Sequence, residues 1–326
     1  MPFKNEIQME NLINEINKLN SEIKNCNDEI NKLKQGLKNS NEILDSNYNL
    51  FNLLLIDYEL NPKGILKNMQ ILCQELLDFI VNVCNKHDLD WWLIGGNLIG
   101  AYRHGGYIPW DDDMDIGMMR NDFDKFNDVA HDEIVNHDLD EYLTLKVYPF
   151  TGKNFILPFT KLDCITKNNE IIAGVDIFPY DYAEDNDFTL DEFLEFRIEY
   201  YTRLVTGDVE ELMKDYYSKF NLNLDDGKYI IPNPTFLRYA ERYQKDLIFY
   251  DKNRITPFDK IVFNGKYYNC PNDIDYFLKL EYGDYMKIPK ILVDQHNNVD
   301  NLRGIENIDV VYEEFISRLR ECNENF

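Results

Sequence analysis

Apolar residues near the N-terminus recur at Met9, Leu12, Ile16, Leu19, Ile23, Cys26, Ile30, Leu33 and Leu37. The steps alternate three and four, which is the spacing of an a/d heptad seam. Isoleucine falls mostly at a and leucine at several d positions, a choice that favours a parallel two-stranded coil. The g positions Glu15, Glu22 and Glu29 face Asn20, Asn27 and Lys34 at e, so charge pairing is weak. Residues 1–47 are expected to form a coiled-coil oligomerisation helix and a homodimer. The alternative is an amphipathic helix packed back on its own domain. Gly36 and Asn39-Ser40-Asn41 weaken the seam, and residues 48–64 read as a linker or docking segment ended by Asn61-Pro62-Lys63-Gly64.

The next periodic stretch, Ile65 to Asp88, predicts one helix with Leu66, Met69, Leu72, Cys73, Leu76, Leu77, Ile80 and Cys84 as its buried stripe. Trp91 to Ile94 reads as a short strand, Gly95-Gly96-Asn97 as its end, and Leu98 to Arg103 as a short helix with Asn97 as N-cap. The period then changes to two. In Asp111-Asp112-Asp113-Met114-Asp115-Ile116-Gly117-Met118 a strand would put Asp111, Asp113 and Asp115 on one face. Met114, Ile116 and Met118 would lie buried on the other. Ile156 to Asp163 and Ile171 to Pro179 also read as strands, with Asp176 facing away from Val175 and Ile177. Thr189 to Phe220 and Pro234 to Asp251 read as helices. Asn264-Gly265 within Ile261 to Tyr268 signals a type I′ hairpin, and Pro271-Asn272-Asp273 caps a helix to Tyr282. Residues 65–300 are expected to form one catalytic domain. Residues 301–326 are expected to form a C-terminal tail with a short helix, Val310 to Arg320.

Composition narrows the functions. The chain has 326 residues, 44% of them hydrophobic and 14% aromatic, enough for a substantial core. Its net charge of -25 argues against nucleic acid, which needs a basic footprint, and against electrostatic docking on anionic lipid. The first forty residues carry six Lys and six acidic residues, so the excess negative charge lies in the rest. The six cysteines, Cys26, Cys73, Cys84, Cys164, Cys270 and Cys322, show no Cys-x-x-Cys spacing and signal neither a zinc ribbon nor a redox motif. No apolar run approaches the ~18 residues of a membrane span, and the N-terminus lacks the apolar region of a signal peptide. A cytoplasmic location is the expectation.

The chemistry gathers around the alternating acids. Adjacent carboxylates repel one another, so a row of them stays ionised only beside a cation. Hard oxygen ligands at this spacing suit Mg²⁺ or Mn²⁺, whereas a lone Asp-x-Asp is more often a solvated turn. A strand feeding Gly95-Gly96 and then a helix N-terminus can cradle phosphate on free N–H groups. Arg103 is a candidate phosphate clamp, because a guanidinium matches phosphate oxygens bidentately. His104 is either a donor to phosphate or a structural residue at a turn. Lys161 either balances phosphate charge or is an exposed strand lysine. Asp163 and Asp181 are further candidates, with capping or loop roles as the alternative.

Together these parts are more specific. Gly95-Gly96-Asn97 followed by Asp113-x-Asp115 resembles the nucleotidyltransferase superfamily to which DNA polymerase β belongs. The strings Gly96-Asn97-Leu98-Ile99-Gly100-Ala101-Tyr102-Arg103-His104 and Ile108-Pro109-Trp110-Asp111-Asp112-Asp113-Met114-Asp115-Ile116-Gly117-Met118 resemble the LicD family, which includes phosphocholine transferases and is related to fukutin and fukutin-related protein. Val175-Asp176-Ile177-Phe178-Pro179 resembles that family's second motif, which makes Asp176 the third active-site carboxylate, as metal ligand or as base. Asn97 and Tyr102 depart from the residues usual there. The likeness covers about Ile65 to about Pro289 and leaves out the heptads. His296 lies in a polar tail where the family often carries His and is unassigned.

The resemblance implies an α+β, nucleotidyltransferase-like fold of polymerase-β type: a mixed sheet flanked by helices, here preceded by the coiled-coil helix. It also implies a metal held by Asp113, Asp115 and Asp176, a CDP-linked donor such as CDP-choline, a glycan or glycolipid hydroxyl as acceptor, and CMP as leaving group. The rivals are a metal-dependent glycosyltransferase, an enzyme that transfers the NMP moiety itself, and a coiled-coil adaptor with an inactive transferase domain.

Overall fold

The computed structural model of the chain describes residues 2–57, 60–148, 159–193, 195–196, 209–232, 247–288 and 298–326. It divides into two compact units, one of residues 1–60 with 287–291 and one of residues 61–286 with 292–326. The first is built on helix α1 (Pro2–Asp57). This helix runs unbroken through Gly36 and through Asn39-Ser40-Asn41, the positions at which the heptad pattern is weakest.

The second unit begins with α2 (Ile65–His87), whose stripe from Met69 to Cys84 is buried as its period requires. Strand β1 (Trp92–Leu93) leads into α3 (Gly95–His104), and β2 (Asp115–Met119) into α4 (Arg120–Asn136). Strands β3 (Leu143–Tyr148), β4 (Phe159–Ile165) and β5 (Ile171–Ala183) follow, then helix α5 (Val209–Lys219) and the short strands β6 (Leu222–Asn223), β7 (Tyr229–Pro232) and β8 (Tyr250–Asp251). A one-turn helix α6 (Lys252–Ile255) precedes the hairpin β9 (Asp259–Phe263) and β10 (Lys266–Cys270). Helices α7 (Ile274–Tyr282), α8 (Asn298–Leu302) and α9 (Ile308–Glu324) complete the unit.

The architecture is α+β. Its main sheet runs β1-β2-β5-β4-β3, with β6 and β7 on the far half of β5 and β8 on β7. Only the β2–β5 pair is parallel among these described pairings; the rest are antiparallel. Strand β5 is the pivot. Strand β4 pairs along its first half and β2 along its middle, so both flank it at Asp176 and Ile177; its burial alternates there, with Val175 and Ile177 fully buried and Asp176 partly open. Helices α2 and α4 pack on the sheet, α9 packs on α2, and all three share the core. Tyr312, Phe315 and Leu319 of α9 are buried, so the final helix is a structural member of this unit and not a tail.

Several local expectations are corrected. Helix α3 starts at Gly95 with Ile94 as N-cap, so Asn97 sits inside its first turn. Strand β2 starts at Asp115, not at Asp111, because the Asp111 N–H donates to the Ile108 carbonyl and bends the chain (2.9 Å). Tyr250 and Asp251 pair as strand β8 instead of ending a helix. The hairpin turn has Asn264 and Gly265 at φ 46° and 81°, the two left-handed positions of a type I′ turn. Asp273 caps α7 by accepting from the Tyr276 N–H. The expected strand at Ile156 to Pro158, most of the helix from Pro234, residues 197–208 of the helix from Thr189, and His296 lie outside the described residues.

Candidate active site

Three neighbouring strands bring three charged side chains into one row. In the sheet register Asp115 of β2 lies opposite Asp176 of β5, and Asp176 lies opposite Lys161 of β4. Directly paired positions share a face of the sheet. Lys161 Nζ is 2.8 Å from Asp176 Oδ1, and the two side chains keep 29% and 23% of their surface exposed, so a ligand can reach them. Lys161 is therefore not a solvated strand lysine; it is the cation of the row.

The acids ahead of β2 are held through their backbones. Asn97, almost fully buried, accepts from the Asp115 N–H (2.6 Å) and donates to the Asp113 carbonyl (3.3 Å). Gln70 of α2 donates to the Asp111 carbonyl (2.8 Å), and the Asp176 N–H donates to the Met114 carbonyl (2.8 Å). Met114, Ile116 and Met118 anchor the other face in the core. These contacts use peptide groups of the acids.

The glycines supply the opposite wall. A Cβ on Gly95 would stand 3.4 Å from Asp115 Oδ2, and one on Gly96 only 2.6 Å from Asp111 Oδ2. Gly95 also has φ +57°, a conformation that side chains rarely adopt. The first turn of α3 thus lies directly against the acids, with its positive end toward them.

The electrostatics show the strain of so many acids in one place. Burial, then the neighbouring Asp113, pushes the Asp111 carboxyl well above its ordinary range, and the two side chains share a hydrogen bond. Burial, Asp113 and Asp176 push Asp115 well above its range. Burial raises Asp176 against the pull of Lys161. Burial alone would lower the Lys161 ammonium, but Asp176 outweighs it and holds Lys161 above the usual lysine range.

Among the described residues no three His, Cys, Asp or Glu side chains already converge as a metal site. The donor set nevertheless suits a hard divalent cation: carboxylate oxygens that raise one another's pKa, and a buried Asp111 Oδ2 with no hydrogen-bond partner. A cation here would relieve the repulsion that now has Lys161 as its counterweight.

The remaining sequence candidates divide. Arg103 Nε–H donates to His104 Nε2 (2.9 Å), and its Nη1 donates to the Tyr285 carbonyl (3.0 Å), while the Asp111 charge is near enough to be felt. Burial and Arg103 lower the His104 pKa, in keeping with an acceptor Nε2. Asp163 is buried within β4 and pairs with Lys146 (3.1 Å), so it is neither a cap nor a loop residue. Asp181 is fully buried and accepts from Nε and Nη2 of Arg120, each at 2.9 Å.

Two residues had no signal of site chemistry in the sequence. Arg120 follows β2 directly, and with Asp181 it ties β2 to β5 five residues beyond Asp115 and Asp176. Glu281, at the end of α7, accepts from the Tyr250 hydroxyl (2.6 Å). Burial takes its carboxyl up to about 7, and its charge adds to the rise at Asp115. The Tyr282 hydroxyl beside it stands 3.6 Å from the Gly95 Cβ position.

Sequence comparison with known proteins reaches the same segment. Residues 88–207 match the family model described as LicD/FKTN/FKRP, nucleotidyltransferase domain. Over 124 residues the chain is 35% identical to the lipopolysaccharide cholinephosphotransferase LicD of Haemophilus influenzae, a match covering 36% of this chain and 45% of that protein. Over 49 residues it is 43% identical to the ribitol 5-phosphate transferase FKRP of Homo sapiens, covering 15% of this chain and 10% of that protein. The chain thus spans less than half the length of these relatives. The matched segment carries Gly95, Gly96, Asp113, Asp115, Lys161 and Asp176, so it is residues 88–207 that are similar to the LicD/FKTN/FKRP family.

Proposed function

We propose that this chain transfers a phospho-alcohol group, phosphocholine or a similar one, from a CDP-linked donor to a hydroxyl of a cell-surface glycan or its precursor, releasing CMP. The observation that carries the reading is the register that sets Asp115, Asp176 and Lys161 side by side, with Gly95 and Gly96 against the same acids. The likeness of residues 88–207 to the LicD/FKTN/FKRP family adds weight, since the named relatives are a cholinephosphotransferase and a ribitol 5-phosphate transferase. The nucleotidyltransferase type of fold belongs to the same proposal.

Asp113, Asp115 and Asp176 would hold Mg²⁺ or Mn²⁺, which when bound neutralises charge on the donor diphosphate and on the departing CMP. The first turn of α3 offers N–H groups to phosphate oxygens across the Cβ-free surface of Gly95 and Gly96. Arg103 and Lys161 add positive charge. The acceptor oxygen attacks the distal phosphorus in line. The new O–P bond forms as the bond from that phosphorus to the bridging oxygen breaks, and CMP takes the electron pair. Asp176 takes the acceptor's hydroxyl proton or aligns the acceptor. Such a reaction needs alignment and charge stabilisation more than covalent help.

The test is a panel of CDP-linked alcohols (choline, ethanolamine, glycerol, ribitol) with glycan acceptors, Mg²⁺, and product analysis. CMP with a phosphodiester product is expected. A nucleotidylated product, sugar transfer from a nucleotide sugar, or no turnover with any donor would overturn the proposal in favour of its three rivals.

A further inference from the structure

Helix α1 is 56 residues long, so about 84 Å from end to end at 1.5 Å per residue. Because it does not break at Gly36 or at Ser40, the a/d frame continues past Leu37. It gives a positions Met9, Ile16, Ile23, Ile30, Leu37, Leu44 and Phe51, and d positions Leu12, Leu19, Cys26, Leu33, Ser40, Asn47 and Leu54. The apolar side chains of this stripe are between 37% and 73% exposed. A globular body of about 260 residues has a radius of gyration of roughly 18 Å and a width of about 47 Å. A body of that size could cover little more than half of such a rod, whatever its placement.

We infer that the occupant of this face is a second copy of α1, parallel and in register over seven heptads. Three features select this arrangement. The a positions from Ile16 to Ile30 are β-branched, while leucine fills the d positions at 12, 19, 33 and 54, the distribution of parallel two-stranded coils. In-register pairing sets Ser40 against Ser40 and Asn47 against Asn47, so each polar layer meets its own kind; antiparallel pairing would bury them against apolar residues. Parallel pairing also turns g Glu15, Glu22 and Glu29 toward e Asn20, Asn27 and Lys34, a neutral-to-attractive set. An antiparallel pair would turn g toward g and set these glutamates against one another. The same register places Cys26 of one helix beside Cys26 of the other. This assignment rests on α1 alone and is independent of the proposed chemistry.

The test uses the full chain. Light scattering is expected to give twice 38.8 kDa, and Ile23→Lys with Ile30→Lys is expected to give the monomer mass with an unchanged near-ultraviolet spectrum, since both side chains are exposed in the single chain. Mild oxidation with copper phenanthroline then reads direction. Cys26 is exposed and the other five cysteines are buried, so a disulfide-linked dimer that disappears in Cys26→Ser is expected. A monomeric wild-type chain, or a mass of three or four chains, would overturn the inference. So would a dimer that Cys26 does not cross-link, because it would mean antiparallel or out-of-register pairing.

Discussion

The pair Arg120–Asp181 gives the sharpest energetic prediction. Arg120 is 3% exposed and Asp181 is fully buried, with two parallel hydrogen bonds of 2.9 Å between them. Tyr217 of α5 donates to the same carboxylate at 2.5 Å, and Tyr216 at 3.4 Å. The last paired residues of the parallel register are Met119 and Tyr180, so Arg120 and Asp181 bond one step beyond it. They lock the register that sets Asp115 opposite Asp176. Removing one partner of a buried ion pair leaves an uncompensated charge and costs about 3–5 kcal/mol. A domain of this size has a total stability of about 5–15 kcal/mol. At about 2–4 °C per kcal/mol, Arg120→Met should lower Tm by roughly 6–20 °C. Urea unfolding followed by tryptophan fluorescence reads the free-energy loss directly, because Trp92 is buried against Tyr180, the neighbour of Asp181. The double variant Arg120→Met, Asp181→Asn removes both charges and keeps an acceptor for Tyr217, so it should recover at least half of the loss. A single variant that loses less than about 1 kcal/mol, or a double variant no better than the single, would refute the reasoning.

Other expectations follow from the same geometry. Asp115→Asn should reduce turnover by orders of magnitude while Tm of the metal-free chain stays level or rises, since repulsion with Asp113 and Asp176 is relieved; near-normal activity would remove Asp115 from the site. Gly96→Ala places a Cβ 2.6 Å from Asp111 Oδ2, so donor affinity should fall at least ~10-fold, about 1.4 kcal/mol, with an unchanged circular dichroism spectrum; unchanged affinity would show that Gly96 does not shape the pocket. Asn97→Ala frees the Asp115 N–H and the Asp113 carbonyl and should cost about 1–3 kcal/mol in urea unfolding. Glu281 has a folded pKa raised to about 7, so its favourable contribution is full below about 4.5 and is lost as pH rises through 7. Glu281→Gln should stabilise the chain by about 3 kcal/mol at pH 8 and by little near pH 4, and equal effects at both pH values would contradict the assignment.

What could be read from the chain and what could not follow from range. Period-two alternation marks Val175-Asp176-Ile177 and Met114-Asp115-Ile116 because a half-buried strand writes its two faces into adjacent residues. The hairpin at Asn264-Gly265 and the cap at Asp273 are local rules and hold. The alternation extends upstream to Asp111, but the Ile108 turn and the Asn97 side chain bend those residues out of the sheet, so β2 starts only at Asp115. Asn97 has the neighbours of a helix cap, but its partners lie 16 and 18 residues downstream. Asp181 was ambiguous and Arg120 silent, since their bond spans 61 residues. Glu281 meets the site through α7, and no short-range pattern announces a buried glutamate. Alternation alone places Asp115 and Asp176 on strands but not beside each other; only the resemblance to the LicD family joins them in one site.

The most direct test of the central claim is Mn²⁺ binding by electron paramagnetic resonance, on wild type, Asp115→Asn and Asp176→Asn. If the row formed across β2, β5 and β4 is a cation site, wild type binds Mn²⁺ and each variant loses at least ~10-fold in affinity, about 1.4 kcal/mol. Equal affinity in all three proteins, or no Mn²⁺ bound by wild type, would contradict it.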